Sequence, residues 1–193
     1  MRILVVHAHP VAASFNRALF HHTVERLMAA GHEVDALDLY AEDFDPRLTS
    51  AEREAYHDLE KNCANVSAHV ERLLAADALV LVYPVWNYGF PAILKGWFDR
   101  VFVPGVSFAL VNGQVSPTLH NIRKLVVVTT YGGTRFRTWL MGDPPRKLIG
   151  RMLRALIKPG APVSYLAHYN LNLATDQSRA AFMARVGAVM DRF

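Results

Sequence analysis

Apolar runs alternate with amphipathic stretches along the whole chain. Residues 78–83 are continuously apolar, which is typical of a strand buried on both faces of a sheet. Residues 2–7 and 124–130 each contain a short apolar run that also predicts a buried strand, and residues 161–167 are predicted to form the last strand. Residues 32–40 instead alternate polar and apolar positions, which predicts a half-exposed strand nearer the sheet edge. The pattern therefore predicts five strands.

The segments between these strands place apolar side chains at helical spacing. Ser14 suits the N-cap of the first helix, and Gly31 suits the position just beyond its end. Pro84 is expected to end the strand before it because proline has no N–H for the ladder, and Pro91 is expected to begin the next helix. The predicted helices occupy about residues 15–30, 66–75, 91–102, 145–157 and 176–193.

These elements alternate along the chain without internal repeats, low-complexity segments or linkers. Such alternation predicts one α/β domain over residues 1–193, with helices on both faces of a sheet. The expected architecture is a doubly wound, five-stranded parallel sheet with strand order 2-1-3-4-5. Residues 41–62 are the most charged stretch, and residues 104–120 are interpreted as a long excursion from the sheet.

Composition and charge narrow the functional class. Hydrophobic residues make up 52% of the chain, and no apolar segment approaches the roughly 20 residues that span a bilayer. Cys63 is the only cysteine, so no internal disulfide can form and a cytoplasmic protein is expected. The net charge of +4 fits either an anionic ligand such as a nucleotide phosphate or surface solubility alone. It is not the dense basic stripe of a nucleic-acid binder, so no nucleic-acid partner is expected.

The first candidate loop follows the first strand and leads into the first helix. His9, Ser14, Phe15 and Asn16 lie there, and the amino end of a helix favours an anion through its free N–H groups and its dipole. The side chains of His9, Ser14 and Asn16 offer further donors. The alternative is a serine cap beside solvated histidines. The loop has neither the GxGxxG nor the Walker pattern, which disfavours Rossmann dinucleotide binding and NTP hydrolysis.

The second candidate loop consists of Pro84, Val85, Trp86, Asn87 and Tyr88. It lies between the carboxyl end of a buried strand and the amino end of a helix, where ligands bind in open α/β sheets. Two aromatic rings and an amide at this place predict a flat, partly polar ligand that stacks on the rings. The alternative is that the aromatic residues belong to the core or to a dimer interface.

The third candidate loop follows the fourth strand and contains Thr130, Tyr131, Gly132 and Gly133. Paired glycines let the backbone approach a ligand closely, and their N–H groups could stabilise negative charge on a ring. The alternative is a turn that requires positive φ. Taken together, the three loops describe a phosphate pocket, a stacking wall and a hydrogen-bonding wall, which are the requirements of a flavin nucleotide.

These residues resemble the quinone reductase (DT-diaphorase) branch of the flavodoxin-like NAD(P)H oxidoreductases. In that family a histidine after the first strand is followed by Ser-Phe-Asn, which here is His9 and residues 14–16. The family segment Gly-x-Pro-Ala-Ile-Leu-Lys-Gly-Trp-Phe-[Asp/Glu]-Arg-Val-Phe is present intact over residues 89–102. The family sequence Thr-Thr-Gly-Gly matches the third loop with Tyr131 inserted.

The resemblance implies a flavodoxin-like fold that binds flavin, with FAD favoured and FMN as the alternative. It implies that NAD(P)H transfers a hydride to the flavin and that a quinone-like acceptor then takes it, in a two-step (ping-pong) reaction. Family members are usually homodimers with the site at the interface, so Trp139 and residues 104–120 are expected to approach a partner's flavin. A later Tyr and His of the family have no counterpart here, and Arg135, Arg137 or Trp139 occupies that space instead. No catalytic residue is assigned.

Two other functions are compatible with the sequence. His7 and His9 at a strand end resemble a zinc pair, as in a metal-dependent hydrolase, although no metal is expected here because such a pair is more often structural. A flavin-binding regulatory subunit of a potassium-efflux system would share the fold and the motifs. Residues 41–62 would then be a docking face for a membrane-protein partner. An acidic electron-transfer flavodoxin is disfavoured by the pI of about 9.4.

Overall fold

A five-stranded parallel sheet forms the centre of the structure, a computed structural model that describes residues 1–193. Its strands are β1 (Arg2–His7), β2 (Glu33–Asp38), β3 (Ala78–Val85), β6 (Leu125–Tyr131) and β7 (Val163–His168). They lie in the order β2-β1-β3-β6-β7, and every neighbouring pair is parallel. Counted without a separate hairpin, this is the predicted order 2-1-3-4-5, and the predicted fold class is confirmed.

Helices cover both faces of the sheet. The helices are α1 (Phe15–Ala29), α2 (Ser50–Glu54), α3 (Ser67–Ala75), α4 (Ala92–Val101), α5 (Arg135–Leu140), α6 (Pro144–Lys147), α7 (Arg154–Leu156) and α8 (Asp176–Met190). A π-helical stretch, Leu148–Leu153, joins α6 to α7, and single 3₁₀ turns lie at Ala64–Val66 and Leu171–Leu173. None of the helices combines the length and the apolar character that a bilayer crossing requires.

Alternate residues of the central strands pack into two separate cores. Leu79 and Leu81 of β3 face a core shared with α3 and α4, whereas Val80 and Val82 face a core shared with α1 and α8. Successive side chains of a strand point to opposite faces, so a strand covered on both sides needs apolar residues at every position. This explains why residues 78–83 show no polar alternation.

The sequence led us to expect that β3 ends at Pro84. In the structure the strand continues to Val85. The reason lies in the direction of the backbone groups. The carbonyl of Val82 accepts the Ala8 N–H at 3.1 Å, so residues 82 and 84 direct their backbone groups toward β1. The ladder between β1 and β3 has already ended with the pair of His7 and Val82, so no N–H is required of Pro84.

Residues 104–120, interpreted from the sequence as a long excursion from the sheet, contain a hairpin of β4 (Phe108–Val111) and β5 (Gln114–Pro117). Asn112 and Gly113 form its two-residue turn with φ of 53° and 77°. Asn-Gly is the strongest short hairpin signal in a sequence, and this signal could have revealed the hairpin. The hairpin leaves Leu110, Val111 and Val115 exposed.

The charged stretch is attached to α4 by a buried ion pair. Arg100 donates from Nη2 to Glu52 Oε1 at 2.5 Å, and both side chains are almost fully buried. Thr49 and Glu52 form a capping box at the start of α2. Gly96 of α4 lies close to Pro46 in the charged stretch. A Cβ added to this glycine would come within 2.2 Å of the Pro46 carbonyl oxygen.

Candidate functional site

The structure places the three candidate loops side by side, because β1, β3 and β6 are neighbours in the sheet. The ring centroids of His9 in the first loop and Trp86 in the second are 5.6 Å apart. The hydroxyl of Tyr88 in the second loop lies 4.0 Å from the position that a Cβ of Gly133 would occupy. The loops therefore form one continuous surface at the carboxyl edge of the sheet.

The first loop presents hydrogen-bond donors. The hydroxyl oxygen of Ser14 accepts the Arg17 N–H at 3.1 Å as the helix cap, which leaves the hydroxyl proton free to donate. The ring nitrogen Nδ1 of His9 accepts the Val11 N–H at 3.0 Å, so a neutral ring carries its proton on Nε2. Burial lowers the pKa of His9 and favours this neutral form. The amides of Phe15 and Asn16 donate to no protein group, so this donor set suits a phosphate.

A buried polar cluster forms the floor of the first loop. The Asn16 side chain is only 2% exposed and lies beside His7, so it faces the interior and not the open side of the loop. Asp38 Oδ2 is 3.3 Å from His7 Nδ1 and is also paired with Arg17. Burial, and then the charge of Arg17, lowers the pKa of His7 to about 3. The His7 ring stacks on Phe20, with the ring centroids 4.7 Å apart.

The second loop is a tight turn with a strained backbone. The N–H of Gly89 donates to the Trp86 carbonyl at 2.8 Å, and the N–H of Trp86 donates to the Gly89 carbonyl at 3.2 Å. Asn87 and Tyr88 have φ of 48° and 56°, a conformation that asparagine tolerates and that tyrosine rarely adopts. Such strain costs about 1–2 kcal/mol and is concentrated at functional sites.

The turn brings Trp86 to the surface, where 41% of the residue is exposed, so this tryptophan is not a core residue. Asn87 is exposed and Tyr88 is partly buried beside it. Pro84 is buried and Val85 is partly buried, since both still belong to β3. The open part of the second loop is therefore limited to its last three residues.

The third loop is open because its last two residues, Gly132 and Gly133, have no side chains. Neither Gly132 nor Gly133 has positive φ, so the alternative of a turn that requires positive φ is wrong. A Cβ on Gly132 would come within 3.3 Å of the Asn172 amide, and a larger side chain on Gly133 would enter the gap toward Tyr88. The amides of both glycines donate to no protein group. Thr130 is buried within β6 beside them.

Tyr131, the residue inserted relative to the family motif, turns its side chain into a buried cluster. Its hydroxyl donates to Asp143 Oδ1 at 2.7 Å and lies 2.7 Å from the Tyr165 hydroxyl. Tyr83 is 3.4 Å from the same Tyr165 hydroxyl, and Arg146 holds Asp143 from the other side at 2.8 Å. Burial raises the pKa of Tyr131 and Tyr83 and raises that of Tyr165 to about 12, so the phenols stay neutral. Sequence reasoning missed this cluster, and no local pattern reveals it.

Comparisons with known proteins agree with this architecture. A family model described as flavodoxin-like fold matches residues 1–183. Rat NAD(P)H dehydrogenase (quinone) 1 (Rattus norvegicus) is 32% identical over 147 residues, which cover 68% of this chain and 54% of the rat protein. The chain therefore spans about half the length of this curated relative.

Solved structures match over the full length. Smu.1420 from Streptococcus mutans UA159 is 28% identical with a TM-score of 0.86 and covers 100% of both chains. An NAD(P)H:quinone oxidoreductase from Methanothermobacter marburgensis is 27% identical with a TM-score of 0.86, covering 99% of this chain and 98% of that chain. By these matches the chain belongs to the flavodoxin-like family that includes the NAD(P)H:quinone oxidoreductases.

Proposed function

We propose that this protein is a flavin-dependent NAD(P)H oxidoreductase. It passes a hydride from NAD(P)H to a quinone or similar small acceptor, in two half-reactions at one site. The observation that carries the proposal is the meeting of three loops with different chemistry at one sheet edge. The first offers phosphate donors, the second exposed aromatic rings and the third a glycine wall. Relatives named as quinone oxidoreductases support it.

The residues present fit a flavin nucleotide. The Ser14 hydroxyl, the Nε2–H of His9 and the free amides at the start of α1 would hold the phosphates. Trp86 and Tyr88 would lie along the isoalloxazine ring, and Gly133 leaves space between the second and third loops. When bound, the flavin supplies the hydride chemistry between nucleotide and acceptor. FAD is the favoured form and FMN the alternative.

The chain contributes binding, orientation and electrostatics. The two unpaired amides of Gly132 and Gly133 are donors that stabilise negative charge on a ring packed against the third loop. The buried cluster around Tyr131 anchors the end of β6, so this loop is held in place without a side chain on its open surface. No side-chain acid or base is assigned a catalytic role.

The proposed assembly is a homodimer with the site at the interface. Three apolar residues of the hairpin, Leu110, Val111 and Val115, are exposed and would be covered by a partner subunit. Trp139 on α5 is also exposed and would approach the partner's site. The proposed location is the cytoplasm, in agreement with the single cysteine. Analytical ultracentrifugation of the flavin-loaded protein tests the dimer.

The visible spectrum of the purified protein, reconstituted with FMN and with FAD, tests the proposed function. We expect a bound flavin that bleaches with anaerobic NAD(P)H and recovers when a quinone is added. Bleaching without recovery on quinone would redirect the search to azo or nitroaromatic acceptors. Binding without bleaching would favour a regulatory subunit, and binding of neither flavin would overturn the proposed site.

Matched glycine variants connect the spectrum to the site. Gly133→Leu places a side chain in the gap beside Tyr88, so we expect flavin binding to weaken at least tenfold. Gly150→Leu is the control, because Gly150 has no neighbouring atom within 4 Å of its Cβ position and belongs to the π-helical stretch outside the three loops. Circular dichroism shows whether both variants are folded. Equal flavin affinity in the two variants would contradict the proposed position of the ring.

A further inference from the structure

A cleft of about 390 Å³ opens beside the third loop. We call it the basic cleft and define it by the residues Arg135, Trp139, Asp143, Arg146, Lys147 and Tyr169. Its volume lies within the range of small-molecule sites. The three loops of the proposed flavin site contain none of these residues, and Trp139 is the one cleft residue that is also proposed to approach a partner's site.

The basic cleft is connected to the third loop by direct contacts. The Tyr169 ring stacks on Tyr131, with ring centroids 4.8 Å apart and planes inclined by 25°. The N–H of Asn170 donates to the Gly133 carbonyl at 2.8 Å. A ligand that lies across the third loop therefore meets the cleft next, and an extended molecule reaches both places.

Some of the charged side chains in the basic cleft have a partner of opposite charge and others have none. Arg146 is committed to the protein: it donates to Asp143 at 2.8 Å and to the Tyr169 hydroxyl at 2.9 Å, and its guanidinium lies 4.2 Å from the Tyr165 ring centroid. The positive charge of Arg146 thereby compensates the negative charge of Asp143. Arg135 and Lys147 have no carboxylate partner and make no side-chain hydrogen bond.

Two unpaired cations at a concave site favour a ligand with a compact negative charge. By contrast, Arg47, Arg72, Arg123 and Arg179 elsewhere in the chain each contact a carboxylate. Trp139, 70% exposed, forms the rim of the same cleft and offers a flat apolar face. A phosphate joined to an aromatic base satisfies both features.

We infer that the basic cleft receives the adenosine 2′-phosphate of NADPH, and that Arg135 and Lys147 make the protein prefer NADPH to NADH. The inference rests on the proposed function, because it names the form of the nucleotide that the oxidoreductase uses. The 2′-phosphate is the group that distinguishes the two nucleotides, so cations that contact it act on NADPH alone. Arg135 and Lys147 are specificity residues and take no part in hydride transfer.

Equilibrium binding tests the cleft without turnover. Adenosine 2′,5′-bisphosphate and adenosine 5′-monophosphate are titrated into the flavin-loaded protein by calorimetry. We expect the bisphosphate to bind at least tenfold more tightly, because it carries the extra phosphate for two charge-assisted contacts. Arg135→Gln and Lys147→Gln should each reduce that preference roughly tenfold. Arg154→Gln, which removes the same charge from an exposed position outside the cleft, should leave it unchanged.

Steady-state kinetics with NADPH and NADH show whether the cations contact the 2′-phosphate, which only NADPH carries, or the pyrophosphate, which both nucleotides carry. The variants Arg135→Gln and Lys147→Gln should raise KM for NADPH and leave kcat and the NADH parameters unchanged. An equal loss with NADH would show that the cations contact the pyrophosphate, and it would overturn the inference. Equal affinity of the wild-type protein for the two adenosine nucleotides would also overturn it. Tight bisphosphate binding without bleaching by either nucleotide would support the cleft while the proposed function fails.

Discussion

The buried histidine below the first loop should make the fold sensitive to acid. His7 is fully buried, packs on Phe20 and lies 3.3 Å from Asp38, a carboxylate already paired with Arg17. Burial lowers the pKa of His7 from 6.5 to about 3. Between these two values the unfolded chain binds a proton at this ring and the folded chain does not, so the free energy of unfolding falls as the pH falls.

The size of the effect follows from the two pKa values. At pH 8 the ring is neutral in both states and contributes nothing to the pH dependence. At pH 5 the pH is about 1.5 units below the pKa of 6.5 that the ring has in the unfolded chain. This difference corresponds to a loss of about 2 kcal/mol in the free energy of unfolding. Below pH 3 the loss reaches its full value of about 5 kcal/mol for a shift of about 3.5 units. Most small domains have only about 5–15 kcal/mol in total, so this one ring has a large effect.

Urea unfolding at pH 8 and pH 5 measures the difference for the wild type, His7→Gln and His120→Gln. His7→Gln is expected to be less stable at pH 8 but to lose about 2 kcal/mol less than the wild type between the two pH values. His120 is exposed, so His120→Gln should follow the wild type. If His7→Gln shows the same pH-dependent loss as the wild type, the assignment of the acid sensitivity to this ring is wrong. His7→Asn provides a second variant should the glutamine not fit.

Substitutions at three further positions, Tyr88, Gly96 and Glu52, test local packing by urea unfolding at pH 8. Tyr88→Gly and Tyr88→Ala both remove the ring, but only glycine relieves the positive φ, so the glycine variant should be more stable by about 1 kcal/mol; equal stability would argue against strain in the turn. Gly96→Ala should destabilise by about 3 kcal/mol because its Cβ would collide with Pro46, whereas a gain would show that the loop moves aside. Glu52→Ala should cost about 3–5 kcal/mol by leaving the Arg100 charge buried without a partner, and adding Arg100→Met should recover most of the loss.

Much of the fold is readable from local pattern. The continuously apolar run over residues 78–83 predicts a central strand, and the alternating run over residues 32–40 predicts the edge strand, because burial on one or two faces dictates where polar residues are tolerated. The cap at Ser14 and the left-handed Gly31 mark the ends of α1 as expected. The positions of the three loops then follow from the strand order alone.

Local sequence pattern was less reliable at positions where a contact with another element decides the local structure. Pro84 stayed within β3 because the adjacent strand had already ended at His7, a fact of register that the sequence of one strand does not contain. The Asn112-Gly113 pair is a local hairpin signal, and the structure forms a two-residue turn between β4 and β5 there. Asn16 was predicted to face a ligand, yet its side chain turns toward His7 in the interior.

The sequence by itself determined the five strands of the sheet and the three loops at their ends, since these depend on residues that are close along the chain. Only the tertiary structure decided which side chains meet: Tyr131 with Tyr165 and Asp143, and Arg146 with Tyr169. It also decided that Arg135 and Lys147 remain without partners, as no count of charges distinguishes a paired arginine from a free one. Contacts between distant residues depend on distances of a few ångströms that are set by the packed sheet, and such distances are not encoded in any local pattern.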